Sequence, residues 1–320
     1  MRQVLVTGAD GFVASGLIPL LLERGWGVRG SVIDEAALAA IPKGASGLVS
    51  GDLASFCGWG PLLDGIDAVV HLAGKVHAEA ARAHDGEAFA RDNVESSRRL
   101  AEACALRRVA RFVFASSAKA IGEETASGQA WDEGTPCSPA DPYGRSKLEA
   151  ERVLAKALAR HAAGLVVLRL PLVYGPGMRA NMLRLFKAVD AGWPLPLAGI
   201  ENSRSLLYLG NLADAVALCL DHPAAAGETF HVTDGEDLST PELARTIARA
   251  LGRPARLFRV PEALLAATAS LAGRASDAGR LTGSLVLDGR KIRLKLGWRP
   301  PHSADAGLKA TADWFRDMKR

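Results

Sequence analysis

Near its start the chain reads Val4-Leu5-Val6-Thr7-Gly8-Ala9-Asp10-Gly11-Phe12-Val13-Ala14: a short apolar run, a turn holding two glycines, then apolar residues at helical spacing. A strand that turns directly into a helix leaves free N–H groups and the positive end of the helix dipole at the turn. Gly8 permits the tight turn and Gly11 lets the backbone approach a pyrophosphate, with Asp10, Phe12 and Val13 in the same loop and first helical turn. Ala14 takes the third position of a GxxGxxA spacing, where a small residue lets helix pack against strand. The bland alternative is a strand-to-helix turn without a ligand. Placement after the first strand and before a helix predicts dinucleotide binding instead.

Outward from this turn the rhythm repeats. Residues 27–32, 47–50, 68–73, 111–116 and 165–170 are short apolar runs, and segments 13–24, 87–105 and 142–160 carry apolar residues at helical spacing. Strand, helix, strand in this order predicts an α/β protein, a Rossmann-like doubly wound parallel sheet followed by a smaller C-terminal α/β substrate lobe. Residues 1–170 are expected to form the NAD(P)-binding domain and residues 171–320 mainly the substrate-binding lobe. Residues 205–208 and 229–232 read as strands flanking a helix over 212–221, so 205–232 are expected to return to the first sheet. In the lobe, Ser239-Thr240-Pro241-Glu242 has the pattern of a capping box that starts a helix.

Two further positions bear on the dinucleotide. Gly51-Asp52-Leu53 follows the third strand and puts Asp52 and Leu53 by an adenine, or else makes Asp52 a turn residue. An acidic residue at the end of the second strand favours NAD, a nearby Arg NADP. That strand ends Gly30-Ser31-Val32-Ile33-Asp34, with Val32 at the expected acidic position, Asp34 two residues on and Arg29 inside the strand. The sequence leaves NAD and NADP both open.

Composition removes other classes. The 320 residues are 48% hydrophobic and 23% charged, enough for a buried core, so disorder is not the expectation and a disulfide mini-protein is excluded. A net charge of +4, spread without a basic stripe, gives no reason to expect nucleic acid. Cys57, Cys104, Cys137 and Cys219 lack CxxC spacing and the seven histidines lack HxxxH spacing, so no metal is expected. No apolar run approaches the ~20 residues of a membrane span. Met1-Arg2-Gln3 leads straight into the first strand, so no signal peptide is expected. A cytoplasmic protein with reduced thiols is the expectation.

The fifth strand runs into Ser116-Ser117, and Tyr143-Gly144-Arg145-Ser146-Lys147 opens a helix downstream. Tyr143 and Lys147, four apart, share a helical face. A lysine ammonium beside a phenol favours phenolate, which predicts a lowered Tyr143 pKa and a proton shuttle usable near neutrality. Ser117 at the strand's carboxyl end is placed to hydrogen-bond the same substrate oxygen. Alone, YxxxK also describes a partly exposed tyrosine beside a solvated lysine; joined to the glycine turn and Ser117 it forms a catalytic set.

Together with His71-Leu72-Ala73-Gly74, Asp92-Asn93-Val94, Leu172-Val173-Tyr174-Gly175-Pro176-Gly177, Arg204-Ser205-Leu206 and Leu296-Gly297-Trp298, these residues resemble the extended short-chain dehydrogenase/reductases, above all the NDP-sugar epimerase/dehydratase group. The resemblance spans nearly the whole chain. It implies Ser117, Tyr143 and Lys147 as catalytic triad, with Tyr143 and Lys147 also touching cofactor, and Leu72, Ala73, Gly74, Asn93 and Pro171 lining the cofactor site. It further implies a UDP-linked sugar held through its pyrophosphate by Arg204, whose planar fork suits that group, and by Asn181, with Ser117 on the substrate side. Lys119, just past a strand end, and Arg280 are further substrate-side candidates, each otherwise a solvated charge.

The family usually has Gly where Ala14 stands. Sugar 4,6-dehydratases have Asp-Glu after the catalytic hydroxyl residue, whereas this chain has Ala118-Lys119, so chemistry at C4 without dehydration is expected. The stretches around 116–123, 179–182 and 202–206 look more like reductases of UDP-4-keto-6-deoxy-hexosamines than like 4-epimerases, which usually show Tyr where Ile121 stands. The reading therefore leans to a 4-ketoreductase, with a UDP-glucose 4-epimerase-like enzyme as alternative and a non-catalytic dinucleotide-binding protein as the alternative of another class. Pairing of helices 87–105 and 142–160 with those of a second copy predicts a homodimer, with Ala155, Leu158, Ala159 and Leu106 outward and arginines such as Arg98 reaching acidic residues across the axis.

Overall fold

The computed structural model describes residues 1–76, 85–159, 164–261, 264, 279 and 281–319. Its main sheet is built from β1 (Gln3–Thr7), β2 (Gly27–Val32), β3 (Ser46–Val49), β4 (Ala68–His71), β5 (Arg111–Ser117), β6 (Gly164–Leu170) and β9 (Glu228–His231). The order is β3-β2-β1-β4-β5-β6-β9, all parallel. The order reverses between β1 and β4, and ligands of open α/β sheets bind outside the strand ends at such a switch point.

The central strands β1 and β4 are apolar on both faces, as a sheet covered on both sides requires. Val4 and Val6 face the helices α1 (Phe12–Glu23) and α8 (Leu209–Asp221), packing with Leu17, Ile18, Leu212 and Val216. Leu5, alternate in the strand, faces the other way with Val69, Phe112 and Phe114, under Leu100 and Cys104 of α5 (Ser96–Leu106) and Ala150 and Leu154 of α6 (Pro142–Leu158). Ala14 is fully buried in the first of these layers, the close packing expected of its position.

One strand departs from expectation. Of the two expected to return to the main sheet, Glu228–His231 does so beside β6, but β8 (Arg204–Tyr208) joins a separate three-stranded sheet between β7 (Leu172–Tyr174) and β10 (Asp237–Leu238). Apolar periodicity marks a strand without naming its neighbour. Here Pro171, which has no N–H to give a ladder, separates β6 from β7 and starts the second sheet. Its core joins Tyr174 and Leu206 to Phe186 of α7 (Ala180–Asp190), Ile247 of α9 (Thr240–Leu251) and Phe315 of the helix Ala304–Asp317. The capping box at Ser239 and Glu242 is formed.

The segment expected as one helix over 87–105 is interrupted: a short helix Asp85–Phe89 continues as a π-helical turn Ala90–Glu95 before α5. Such turns recur at functional sites, and this one carries Asn93.

Candidate active site

The strand ends at the switch point bring together the glycine turn after β1, the His71–Gly74 stretch after β4 and Ser117 at the end of β5. Gly8 has φ +66°, and a Cβ there would lie 3.1 Å from both N and Cα of Ala73. A Cβ on Gly11 would come within 3.0 Å of the Gly8 carbonyl oxygen, and one on Gly74 within 2.8 Å of Asn93 Oδ1. Three positions therefore present bare backbone, and α1 begins at Gly11 without a side-chain cap on its first N–H groups. An uncapped helix N-terminus behind side-chain-free loops fits a dinucleotide pyrophosphate.

Around this cradle the expected contacts divide. Asp34 follows β2 as an exposed residue and caps the short helix Glu35–Leu38, its Oδ1 accepting from Ala37 N at 2.9 Å. Arg29 is turned elsewhere: its Nη1 donates to the carbonyls of Pro61, Leu62 and Asp64. Asp52 Oδ1 accepts from Ala54 N, its other oxygen pairs with Arg91, and Leu53 is buried beside it. The N–H groups of Leu72 and Ala73 donate to Thr7 Oγ1 at 3.2 and 3.1 Å. Asn93, 2% exposed, lies behind the loop: it grips Lys75 N and O and donates to Ser146 Oγ at 2.9 Å. Its side chain orders the loop from within.

The residues expected to form a catalytic set are assembled by α6. Asp141 caps the helix, accepting from Gly144 N at 2.6 Å, and Pro142 fills its first position. Gly144 is required by contact, since a Cβ there would sit 2.2 Å from the Lys119 carbonyl oxygen. That approach brings Tyr143 up to Ser117, whose Oγ caps the short turn Ala118–Ala120. Lys147, one turn along, is buried and donates to the Ala115 carbonyl at 2.9 Å, its Nζ 4.8 Å from the Phe114 ring centre and 6.0 Å from that of Tyr143.

The electrostatics correct one expectation. Burial pushes the Tyr143 phenol up to about 12; the Ser117 hydroxyl beside it pulls it down and the Asp141 carboxylate pushes it further up. Lys147 does not lower it here, because its ammonium is turned to Ala115 and is itself destabilised. Burial lowers Lys147 to about 8, against the opposing pull of Glu151.

Lys119, expected on the substrate side, is taken up by two carboxylates, Glu123 at 2.8 Å and Asp141 at 2.6 Å. Its charge thereby steadies the cap of α6. Pro171 follows Leu170, the register partner of Ser117, and so stands at the same strand end. Asn181 is exposed in the first turn of α7, its Oδ1 accepting from Arg184. Arg204 opens β8, half-buried, with Nη1 donating to the Gly283 carbonyl at 2.7 Å. Arg280 lies outside the described residues. Among the described residues no His, Cys, Asp and Glu cluster could hold a metal.

Two residues escaped sequence reasoning. Glu151, again four residues along the Tyr143–Lys147 face, accepts from Ser116 Oγ and receives two bonds from Arg169, at 3.1 and 2.8 Å. Continuing the i+4 count past Lys147 would have found it. Asp141 was legible as the Asp before a helix-starting proline.

Residues 4–233 match the NAD dependent epimerase/dehydratase family, and the chain belongs to that family of nucleotide-sugar enzymes. It is 34% identical over 317 residues to a UDP-glucose 4-epimerase of Vibrio cholerae, covering 98% of this chain and 95% of the relative. A dTDP-glucose 4,6-dehydratase of Streptomyces niveus is 29% identical, over 99% and 94% of the two chains. Among solved structures, the UDP-glucose 4-epimerase of Thermus thermophilus in complex with NAD superposes with a TM-score of 0.80 at 26% identity, over 98% of this chain and 99% of that one. MoeE5 in complex with UDP-glucose and NAD gives 0.78 at 27%, over 99% and 100%.

Proposed function

We propose that this protein oxidises and reduces C4 of a UDP-linked hexose with NAD, and that its reaction is 4-epimerisation. The observation that carries the reading is the convergence of Ser117, Tyr143 and Lys147 at the strand end beside a side-chain-free, uncapped helix start. The Vibrio cholerae relative supports the substrate class. NAD is preferred to NADP because Asp34 puts a carboxylate at the end of β2 while Arg29 is held by three carbonyls.

Gly8, Asp10, Gly11, Phe12 and Val13 surround the pyrophosphate, Asp34 takes the ribose, Asp52 and Leu53 the adenine side, and Leu72, Ala73, Gly74 and Pro171 line the remainder. Tyr143 Oη exchanges the proton of the sugar 4-hydroxyl and Ser117 Oγ holds the same oxygen. When bound, NAD supplies the hydride acceptor and donor, and its nicotinamide charge favours phenolate in Tyr143. The buried Lys147 ammonium holds the Ala115 carbonyl and so braces the strand that carries Ser117. Arg204 and Asn181 take the substrate pyrophosphate. Dehydration is disfavoured, because Ala118 has no ionisable group and Lys119 is held by Glu123 and Asp141.

A second reading, one-way reduction of a UDP-4-keto-6-deoxy-hexosamine, is favoured by Ile121, buried where 4-epimerases usually have Tyr. Analysis of the nucleotide carried through purification, with assay of UDP-glucose and UDP-galactose, tests the choice. Retained NAD with interconversion of the two sugars is the expected result. Loosely held cofactor and activity only on a 4-keto sugar would favour the reductase.

We further infer a cytoplasmic homodimer. Its support is the four free cysteines, the 82% exposed Leu106, and a groove of about 550 Å³ lined by Ala155 and Ala159. Two details of the expected contact change: Leu158 is buried in the core, and Arg98 is bound by Glu95 and Glu102 of its own helical segment. A dimer mass in light scattering at micromolar protein is expected; a monomer at every concentration would remove the dimer.

A further inference from the structure

A fully buried imidazole stands between the dinucleotide turn and the catalytic helix. His71 ends β4, with Nδ1 2.7 Å from Thr7 Oγ1 and Nε2 3.0 Å from Ser97 Oγ. Its partners fix its protonation by counting. Thr7 Oγ1 already accepts from Leu72 N and Ala73 N, so both its lone pairs are used and its own proton goes to His71 Nδ1. The ring therefore accepts at Nδ1 and carries its proton on Nε2, which donates to Ser97 Oγ. Ser97 in turn donates to the Asn93 carbonyl at 2.5 Å. A doubly protonated ring would aim Nδ1–H at an oxygen with no lone pair left.

The chain does not stop at Asn93. Asn93 Nδ2 donates to Ser146 Oγ, and Ser146 donates to the backbone carbonyl of Tyr143 at 2.7 Å. Thr7 adjoins Gly8 and holds the strand of backbone that leaves no room for a Cβ there. At the other end is the first turn of α6. Thr7, His71, Ser97 and Asn93 are all at most 2% exposed. Buried networks of this kind fix geometry because every member loses a partner if one moves.

We propose that His71 is a positioning residue, a neutral, one-tautomer strut that sets the position of the catalytic Tyr143 relative to the dinucleotide turn by way of Thr7, Ser97, Asn93 and Ser146. It touches neither the substrate nor the reacting atoms. The inference deepens the reading of Tyr143 as the proton-exchanging group and rests on it for its functional meaning.

The test is a double-mutant cycle on Thr7→Val and Ser97→Ala, residues that meet different nitrogens of the ring. NAD affinity is read by titration and turnover by kcat. Each single change is expected to weaken NAD binding or kcat by roughly 5- to 50-fold, the range for a buried group left without its partner. If the strut transmits, the double variant loses at least about threefold less than the product of the singles, and this coupling vanishes when His71→Leu is the background. Losses that multiply within twofold in the His71 protein would overturn the proposal.

Nitrogen-15 spectra of the histidine-labelled wild-type protein give a second readout that needs no variant to fold. His71 is expected as the Nε2–H tautomer throughout pH 5.5 to 8, and an Nδ1–H or doubly protonated ring in that range would equally overturn it. Full turnover in Tyr143→Phe would instead remove the catalytic reading while leaving the affinity cycle and the spectra to stand.

Discussion

Lys147 Nζ donates to the carbonyl oxygen of Ala115, two residues before Ser117 on the same strand. The ammonium therefore braces the strand that presents the Ser117 hydroxyl, at a cost in solvation.

That cost sets the first prediction. Burial lowers Lys147 from the 10.5 of a free lysine to about 8, so the folded protein disfavours its charged form by about 3 kcal/mol. The unfolded chain binds the extra proton between pH 8 and 10.5, and in that window Lys147 makes stability rise with pH. Lys147→Met is expected to lower kcat by about 100-fold or more while leaving the urea midpoint at pH 7 unchanged or raised, and to flatten the rise above pH 8. A large loss of stability at pH 7 would contradict this.

Two buried histidines act on the acid side. Burial lowers His71 to about 3, helped by Lys147, and His231 to about 4, helped by Arg169, both from 6.5. The unfolded chain then binds more protons from about pH 6.5 down to each folded value, so stability falls with pH through that window. Between pH 7 and 5 each residue is expected to remove about 2 kcal/mol. Urea unfolding of wild type and of His231→Asn at the two pH values checks it: the variant loses less than the wild type on acidification.

Arg169 and Glu151 form a pair with side chains 8% and 10% exposed. Breaking such a pair leaves a buried charge, so Arg169→Met is expected to destabilise by about 3–5 kcal/mol, and Glu151→Leu added to it should restore much of the loss. Thermal melts of the wild type and the two variants measure this.

At Gly8, φ of +66° coincides with a contact at 3.1 Å, whereas Gly25, φ +80°, has nothing near a Cβ. Alanine at either position carries about 1–2 kcal/mol of backbone strain. Only Gly8→Ala is expected to weaken NAD binding, by about tenfold or more. Equal affinities in the two variants would remove Gly8 from the cofactor cradle.

Much of this was legible in the chain itself. The turn at Gly8 and the parallel strands through β6 are local patterns, and Tyr143 with Lys147 follows from helical spacing. What stayed hidden depends on partners distant in sequence. Nothing near 204–208 says that β8 pairs with β7 and β10. Lys119 looked free until Asp141 came beside it, and Asn93 turned inward on a π-helical turn that no propensity marks. The Tyr143 pKa was misjudged because i+4 spacing gives a shared face, not the direction in which Lys147 points.

The most direct test of the central claim is a single-turnover experiment in which NAD-loaded wild type and Tyr143→Phe are mixed with UDP-glucose or UDP-galactose. Absorbance at the NADH band and sugar composition are followed together, with NAD affinity measured separately. The account predicts transient NADH and C4 inversion in the wild type, and a loss of about 100-fold or more in the variant with its NAD affinity unchanged. Turnover in Tyr143→Phe close to that of the wild type would contradict it.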